Sequence, residues 1–199
     1  MKNNTVKFLQ DWCNSKYNKN IKQNLNFHLG NLDNPGWFIE VNGEINKKDI
    51  KIFFDNPEDD NDWISIKATS NEFNGYCSNN RFPELFNYFI QWITDYNTYC
   101  IDNIDLLTSM QKWYNSKCNG DWEHCYGFHV DSLDSFAWKI RINGEKNKDI
   151  IDIKIKNSDD DWIFINSNIQ EFNHQVFECT CSNNRLIKAF DYAIHWVSI

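Results

Sequence analysis

The densest group of reactive side chains is Asn119-Gly120-Asp121-Trp122-Glu123-His124-Cys125-Tyr126-Gly127, with carboxylate, imidazole, thiol and indole groups inside nine residues. If this stretch is extended, Asp121, Glu123 and Cys125 face one side while Trp122, His124 and Tyr126 face the other. An enzyme would use Glu123 or His124 here as general base, or Asp121, Glu123 and His124 as metal ligands. The spacing, however, matches neither a helical His-Glu-x-x-His site nor a Cys-x-x-Cys pair. The equivalent stretch earlier in the chain, Asn18-Lys19-Asn20-Ile21-Lys22-Gln23-Asn24-Leu25-Asn26, has no acid and no histidine. A protein-recognition patch is therefore expected, with no catalytic residue, no metal and no cofactor. A hydrolase centred on His124 and a non-enzymatic scaffold module are the rival readings.

Two acidic clusters, Asp59-Asp60-Asn61-Asp62 and Asp159-Asp160-Asp161, each run directly into a tryptophan. Such clusters are solvated turns by default. As binding features, Asp159, Asp160 and Asp161 would steer a partner rich in Lys and Arg. Calcium is not indicated, because EF-hand spacing and a distal Glu are missing. In Leu32-Asp33-Asn34-Pro35-Gly36-Trp37, Pro fixes φ and Gly supplies the positive φ of a type II turn. Asp33 and Trp37 join the candidate partner contacts. The counterpart, Leu133-Asp134-Ser135-Phe136-Ala137-Trp138, lacks Asn-Pro-Gly and must turn differently. Cys77 and Cys181 are expected as small buried hydrophobes, and Cys179-x-Cys181 lacks the two-residue gap of redox and zinc motifs. Arg81 and Arg185, each following Ser-Asn-Asn, are expected in structural ion pairs or carbonyl contacts.

These correspondences arise because residues 1–100 and 101–199 are two copies of one unit. Leu9 to Lys16 matches Met110 to Lys117 at an offset of 101, and Leu32-Asp33 with Trp37 matches Leu133-Asp134 with Trp138 at the same offset. Asp62-Trp63-Ile64 matches Asp161-Trp162-Ile163 at 99, and Cys77 to Arg81 matches Cys181 to Arg185 at 104. The second copy thus carries a two-residue deletion followed by a five-residue insertion. Units of this length can each fold around a core of their own. Each copy also keeps a feature that the other has lost, which fits either neutral drift after duplication or a division of labour between the halves.

The elements that must position these residues follow from periodicity. Leu106, Met110 and Trp113 recur at helical spacing, as do Phe8, Leu9 and Trp12. Trp37, Ile39 and Val41, and Trp138, Ile140 and Ile142, alternate with polar residues and describe a sheet covered on one face. Asn42-Gly43 and Asn143-Gly144 signal tight hairpins. Strands carrying Ile50, Ile52 and Phe54, or Ile151, Ile153 and Ile155, come next, followed by strands starting at Trp63 and Trp162. An apolar helical stripe, Phe82, Leu85, Phe86, Phe89, Ile90 and Ile93, closes the first copy, with Asn80 as N-cap; Asn184 does the same in the second. The expected fold is α+β: per copy a helix, an antiparallel sheet of about four strands and a closing helix. The short connection near 97–102 should hold the copies together.

Composition is that of a folded protein, 41% hydrophobic and 16% aromatic. The net charge of −8, from 20 basic and 28 acidic residues, argues against direct nucleic-acid binding. Asparagine accounts for 30 residues, scattered rather than in tracts, so no prion-like role is indicated. With no apolar signal core near Met1 and no apolar run of about 18 residues, a cytoplasmic location is expected and membrane contact is not. Seven cysteines, an odd number, suit reduced thiols.

Trp113-Tyr114, Cys118 to His124, Tyr126-Gly127 and Leu32 to Trp37 resemble the signature blocks of the immunity protein 53 family of bacterial polymorphic toxin systems. The Asp-Trp-Ile strand and the closing helix fit as well, and the resemblance spans each half nearly end to end. It implies a non-enzymatic antitoxin that binds a cognate protein toxin, here in a tandem double form. Asp121, Trp122, Glu123 and His124 would form the recognition patch, joined by Tyr126, Asp33 and Trp37, with a basic nuclease as the expected target. The first copy lacks the Gly-Asp-Trp-Glu-His block and the second lacks Asn-Pro-Gly, so the family's surface is either incomplete or assembled from both halves.

Overall fold

Alternating burial turns the period-two segments into strands. Phe27 and Leu29, Trp37, Ile39 and Val41, and Phe73 and Cys77 are each interior, while their neighbours point to the other side of the sheet. The computed structural model describes residues 5–17, 25–43, 49–94 without 57 and 60, and 105–198 without 135. The first repeat comprises α1 (Thr5–Tyr17), β1 (Asn26–Leu32), β2 (Gly36–Asn42), β3 (Ile50–Asp55), β4 (Trp63–Ala68), β5 (Glu72–Ser78) and α2 (Phe82–Ile93). The second comprises α3 (Asp105–Lys117), β6 (Gly127–Leu133), β7 (Ala137–Glu145), β8 (Asp152–Ser158), β9 (Asp161–Ile169), β10 (Gln175–Ser182) and α4 (Leu186–Ser198). The fold is α+β, but each repeat has five strands rather than about four. Two strands per repeat escape a period-two reading: β1 or β6, where His28, Gly30 and Asn31, or His129, Asp131 and Ser132, dilute the apolar alternation, and β5 or β10, which lead into the Ser-Asn-Asn-Arg turns.

All ten strands form one antiparallel sheet in the order β3-β4-β5-β2-β1-β6-β7-β10-β9-β8. The repeats join through β1 and β6, where Leu29 faces Val130. Those two residues are equivalents at the offset of 101, so a pseudo-twofold axis passes between them. On one face of the sheet the helices cover a single core drawn from both repeats. Phe27 meets Trp138 at 5.5 Å and Trp37 meets Tyr114 at 5.3 Å. Helix docking is reciprocal. In one direction α1 packs on α4, and the Asn183 amide donates to the Gln10 carbonyl at 2.9 Å. In the other, Gln111 of α3 donates to the Asn79 carbonyl.

The opposite face carries no helix among the described residues. At its centre His28 Nδ1 lies 2.8 Å from Asp131 Oδ1. His129 packs over Gly30, where an added Cβ would stand 2.5 Å from its Nδ1.

Several local expectations are corrected. Asn143 and Gly144 lie inside β7, not in a turn. Gly144, at φ +95°, forms a bulge opposite the Gln175/Val176 step, and its carbonyl is engaged by Trp122. The connection after Asn42-Gly43 runs to β3 at Ile50 and is no two-residue hairpin; residues 44–48 lie outside the described ones, as does the link at 97–102. Gly36 does not take a positive φ. It is required instead because a Cβ would stand 2.5 Å from the Cys77 carbonyl. In the second repeat Phe136 makes the turn at φ 58°. Asn80 and Asn184 sit within 3-10 turns before the closing helices, and α2 has no side-chain cap.

Candidate functional site

The 118–126 segment is compact, not extended. Asn119 Oδ1 accepts the N–H groups of Asp121 and Trp122, both at 3.0 Å. The Glu123 carboxylate accepts those of Asn119 at 2.9 Å and Gly120 at 2.8 Å, reversing the chain into a 3-10 turn at Trp122–His124. Glu123 is consequently only 4% exposed. Burial works to raise its pKa, but the backbone hydrogen bonds, with a contribution from His124, outweigh that and hold the carboxyl below its ordinary range. Glu123 is therefore a structural staple of this turn, buried with each carboxylate oxygen accepting a backbone N–H.

Trp122 turns inward. Its ring lies 5.7 Å from Trp113 and 5.7 Å from Tyr126, and its indole N–H donates to the Gly144 carbonyl at 3.1 Å. Asp121, His124 and Cys125 remain exposed. Among the described residues the His124 ring makes no hydrogen bond, and no group of three His, Cys, Asp or Glu residues could hold a metal ion.

Tyr126 stacks on His174, with ring centroids 4.3 Å apart and 29° between planes. His174 ends the β9–β10 connection, where Phe172 and Asn173 hold left-handed φ values of 58° and 59°. Phe172 projects from it, 84% exposed. Between this hairpin and the 118–126 turn lies a groove of ≈ 420 Å³ lined by Tyr126, Asn143, Gly144, Gln170, Phe172 and His174, among others. The lengthened hairpin is the five-residue insertion of the second repeat: three residues separate β4 from β5, whereas 170–174 and longer strands take their place here. The insertion was visible in the sequence; its meeting with the 118–126 turn was not.

The remaining candidates divide. Asp33 is exposed in the turn after β1, at the same end of the strands as Tyr126, because β1 and β6 run antiparallel. The two turns are tied together there: the Tyr114 hydroxyl donates to the Leu32 carbonyl at 3.0 Å, and Asn31 Oδ1 accepts the Phe128 N–H at 2.6 Å. Trp37 is fully buried against Phe82 at 4.5 Å, so it is a core residue that no partner reaches. Asp159 and Asp160 are exposed, but at the opposite end of the strands. Asp161 is engaged by Arg185, with one contact at 2.9 Å, as Asp62 is by Arg81 at 2.5 Å. Both arginines are thus structural, and they lower the pKa of both aspartates. Cys77 and Cys181 are buried, which pushes the Cys77 thiol up; the Cys181 thiol is raised chiefly by its neighbour Cys179, with burial adding to it.

The chain is thus a two-copy α+β sheet protein with aromatic and ionisable groups gathered at one end of its second copy. Residues 6–94 and 107–198 each match the immunity protein 53 family, Imm53. The chain belongs to that family, as a tandem duplication, which makes it an immunity protein of a toxin system. No curated protein and no solved structure matches it. No described helix is long and apolar enough to cross a membrane.

Proposed function

We propose that the chain neutralises a cognate protein toxin by binding it and covering its active centre, without turnover of its own. The observation that carries this reading is the stacking of Tyr126 on His174. It unites the two stretches peculiar to the second repeat, the Gly-Asp-Trp-Glu-His turn and the five-residue insertion, into one surface. Asp121, His124, Tyr126, Phe172 and His174 form the contact patch, Trp122 supports it from below, and Asp33 extends it. Phe172 and Tyr126 supply the aromatic anchors that dominate protein interfaces. The net charge of −8 favours a basic toxin, such as a nuclease, because opposite charge accelerates encounter. Asp159 and Asp160 act only through that long-range field, since they lie at the other end of the strands. The action is placed in the cytoplasm of the toxin-producing cell.

The test is co-expression with the C-terminal domain of a basic protein toxin found in the reading frame adjacent to this one. Asp121→Lys combined with Phe172→Asp should abolish protection and co-purification while leaving the thermal midpoint unchanged. Full protection by that double variant would remove the patch from the reading.

A further inference from the structure

The two outer edges of the sheet are equivalent by repeat and opposite in chemistry. β3 ends the sheet on one side and β8 on the other. Ile50 and Ile52 correspond to Ile151 and Ile153, and all four pack against the core. On the helix-free face, Lys51, Phe53 and Asp55 occupy the places of Asp152, Lys154 and Lys156. Lysines of that kind blunt a free edge, and β8 has two of them; β3 instead offers a phenylalanine that is 75% exposed. Within its own chain Lys51 stands opposite Lys67, a like charge. Among the described residues neither Lys51 nor Asp55 forms an ion pair.

We propose that β3 pairs antiparallel with β3 of a second copy of this chain, in a register centred on Phe53. The strand is self-complementary in that register. Lys51 meets Asp55 of the partner, Asp55 meets the partner's Lys51, Phe53 meets Phe53 and Ile52 meets Phe54. Each is a favourable cross-strand pair, and the outer backbone N–H and C=O groups of β3 gain partners. In the equivalent register the other edge pairings carry a penalty. β8 with β8 sets Lys154 against Lys154. β3 with β8 sets Lys51 against Lys156 and Asp55 against Asp152. In that register the β3 pairing alone is free of like charges, and it is isologous, so the assembly closes as a dimer instead of growing into a filament. A six-residue strand pair falls below a standard interface of about 1,600 Å², so association in the micromolar range is expected. The inference does not rest on the toxin-binding reading: the 118–126 turn and the β9–β10 hairpin belong to the other half of the sheet and stay uncovered.

Sedimentation velocity on the full chain, from about 5 to about 500 µM, tests it. The mass should rise with concentration from 23.8 kDa towards its double. Lys51→Asp and Phe53→Lys should each weaken association at least tenfold, with circular dichroism unchanged. The swap Lys51→Asp with Asp55→Lys should restore it. Should Lys51→Asp not fold, Asp55→Lys alone opposes two lysines and asks the same question. A chain that stays monomeric throughout, a dimer indifferent to these substitutions, or a swap no better than Lys51→Asp would each overturn the proposal.

Discussion

The ring of Tyr126 lies on that of His174 at 4.3 Å, bridging a turn and a hairpin whose counterparts in the first repeat are shorter or chemically unlike. Neighbouring Phe172 holds φ at 58° while 84% exposed. A bulky residue in the left-handed region is strained, and here neither burial nor packing offsets the strain. Phe172→Asn should therefore leave stability unchanged or slightly higher, since Asn tolerates that backbone. Toxin affinity should fall about tenfold or more, equivalent to about 1.4 kcal/mol. Isothermal titration beside a thermal melt separates the two effects; equal affinity would show that the ring is no anchor.

Glu123 makes the opposite prediction. Glu123→Ala strands two backbone N–H groups that the carboxylate now satisfies. The cost should be about 3 kcal/mol, or roughly 10 °C in thermal midpoint for a chain of this size. Protection should be lost with the fold, so a soluble, stable Glu123→Ala protein would show that the turn does not depend on the staple.

The duplication, the helices and the strands around Trp37, Ile50 and Trp63 were legible because their apolar spacing is regular. The ion pairs of Arg81 and Arg185 were legible because an arginine opening a helix beside an acidic turn has a near partner. The burial of Glu123 was not legible because an acid among polar residues looks solvent-facing, and only the turn's hydrogen bonds reveal that it points inward. His174 and Phe172 escaped notice because their role depends on a contact between segments about 50 residues apart. Periodicity carries no information about such contacts.

The repeats differ in the buried bond made by the equivalent tryptophans Trp37 and Trp138. Trp138 donates its indole N–H to Asn183 Oδ1 at 2.6 Å, and the same amide reaches Gln10 and Asn14 of α1. At the equivalent place in the first repeat, Trp37 Nε1 and Asn79 Oδ1 have no partner among the described residues. Asn183→Ala should cost about 2–3 kcal/mol and Asn79→Ala under about 1 kcal/mol. Urea unfolding of both variants checks the asymmetry; equal losses would contradict it.

Acid should destabilise the protein in two steps. Burial lowers the pKa of His129, with Asp131 opposing and Arg141 assisting. A histidine held neutral in the fold contributes its share fully above its ordinary 6.5 and loses it as pH falls through the lowered folded value. Glu123, Asp62 and Asp161 are also lowered, so their contribution is complete above their ordinary values of 3.8 to 4.5 and is lost below them. The thermal midpoint should therefore decline first below about pH 6.5 and more steeply below about pH 4. His129→Gln should remove the first decline only; an unaltered profile would exclude His129 as its origin.

The reciprocal docking of the helices bears on whether either half can stand alone. α1 lies on α4 and is fixed to the 3-10 turn before it through Asn183, while α3 rests on the first repeat through Gln111 and Tyr114. The central pair β1–β6 supplies the seam of the sheet. Separating the chain between residues 100 and 101 therefore exposes β1 and β6 as new edges of the two half-sheets and bares Trp37, Phe27 and Trp138. Each fragment, 1–100 or 101–199, should lack a cooperative melt when made separately. An equimolar mixture should regain the near-ultraviolet signal of packed tryptophans, because every interface broken by the cut is rebuilt on association. A lone 101–199 fragment with a sharp transition would mean that the second repeat carries a sufficient core of its own, and that the shared packing is a consequence of fusion rather than a condition of folding.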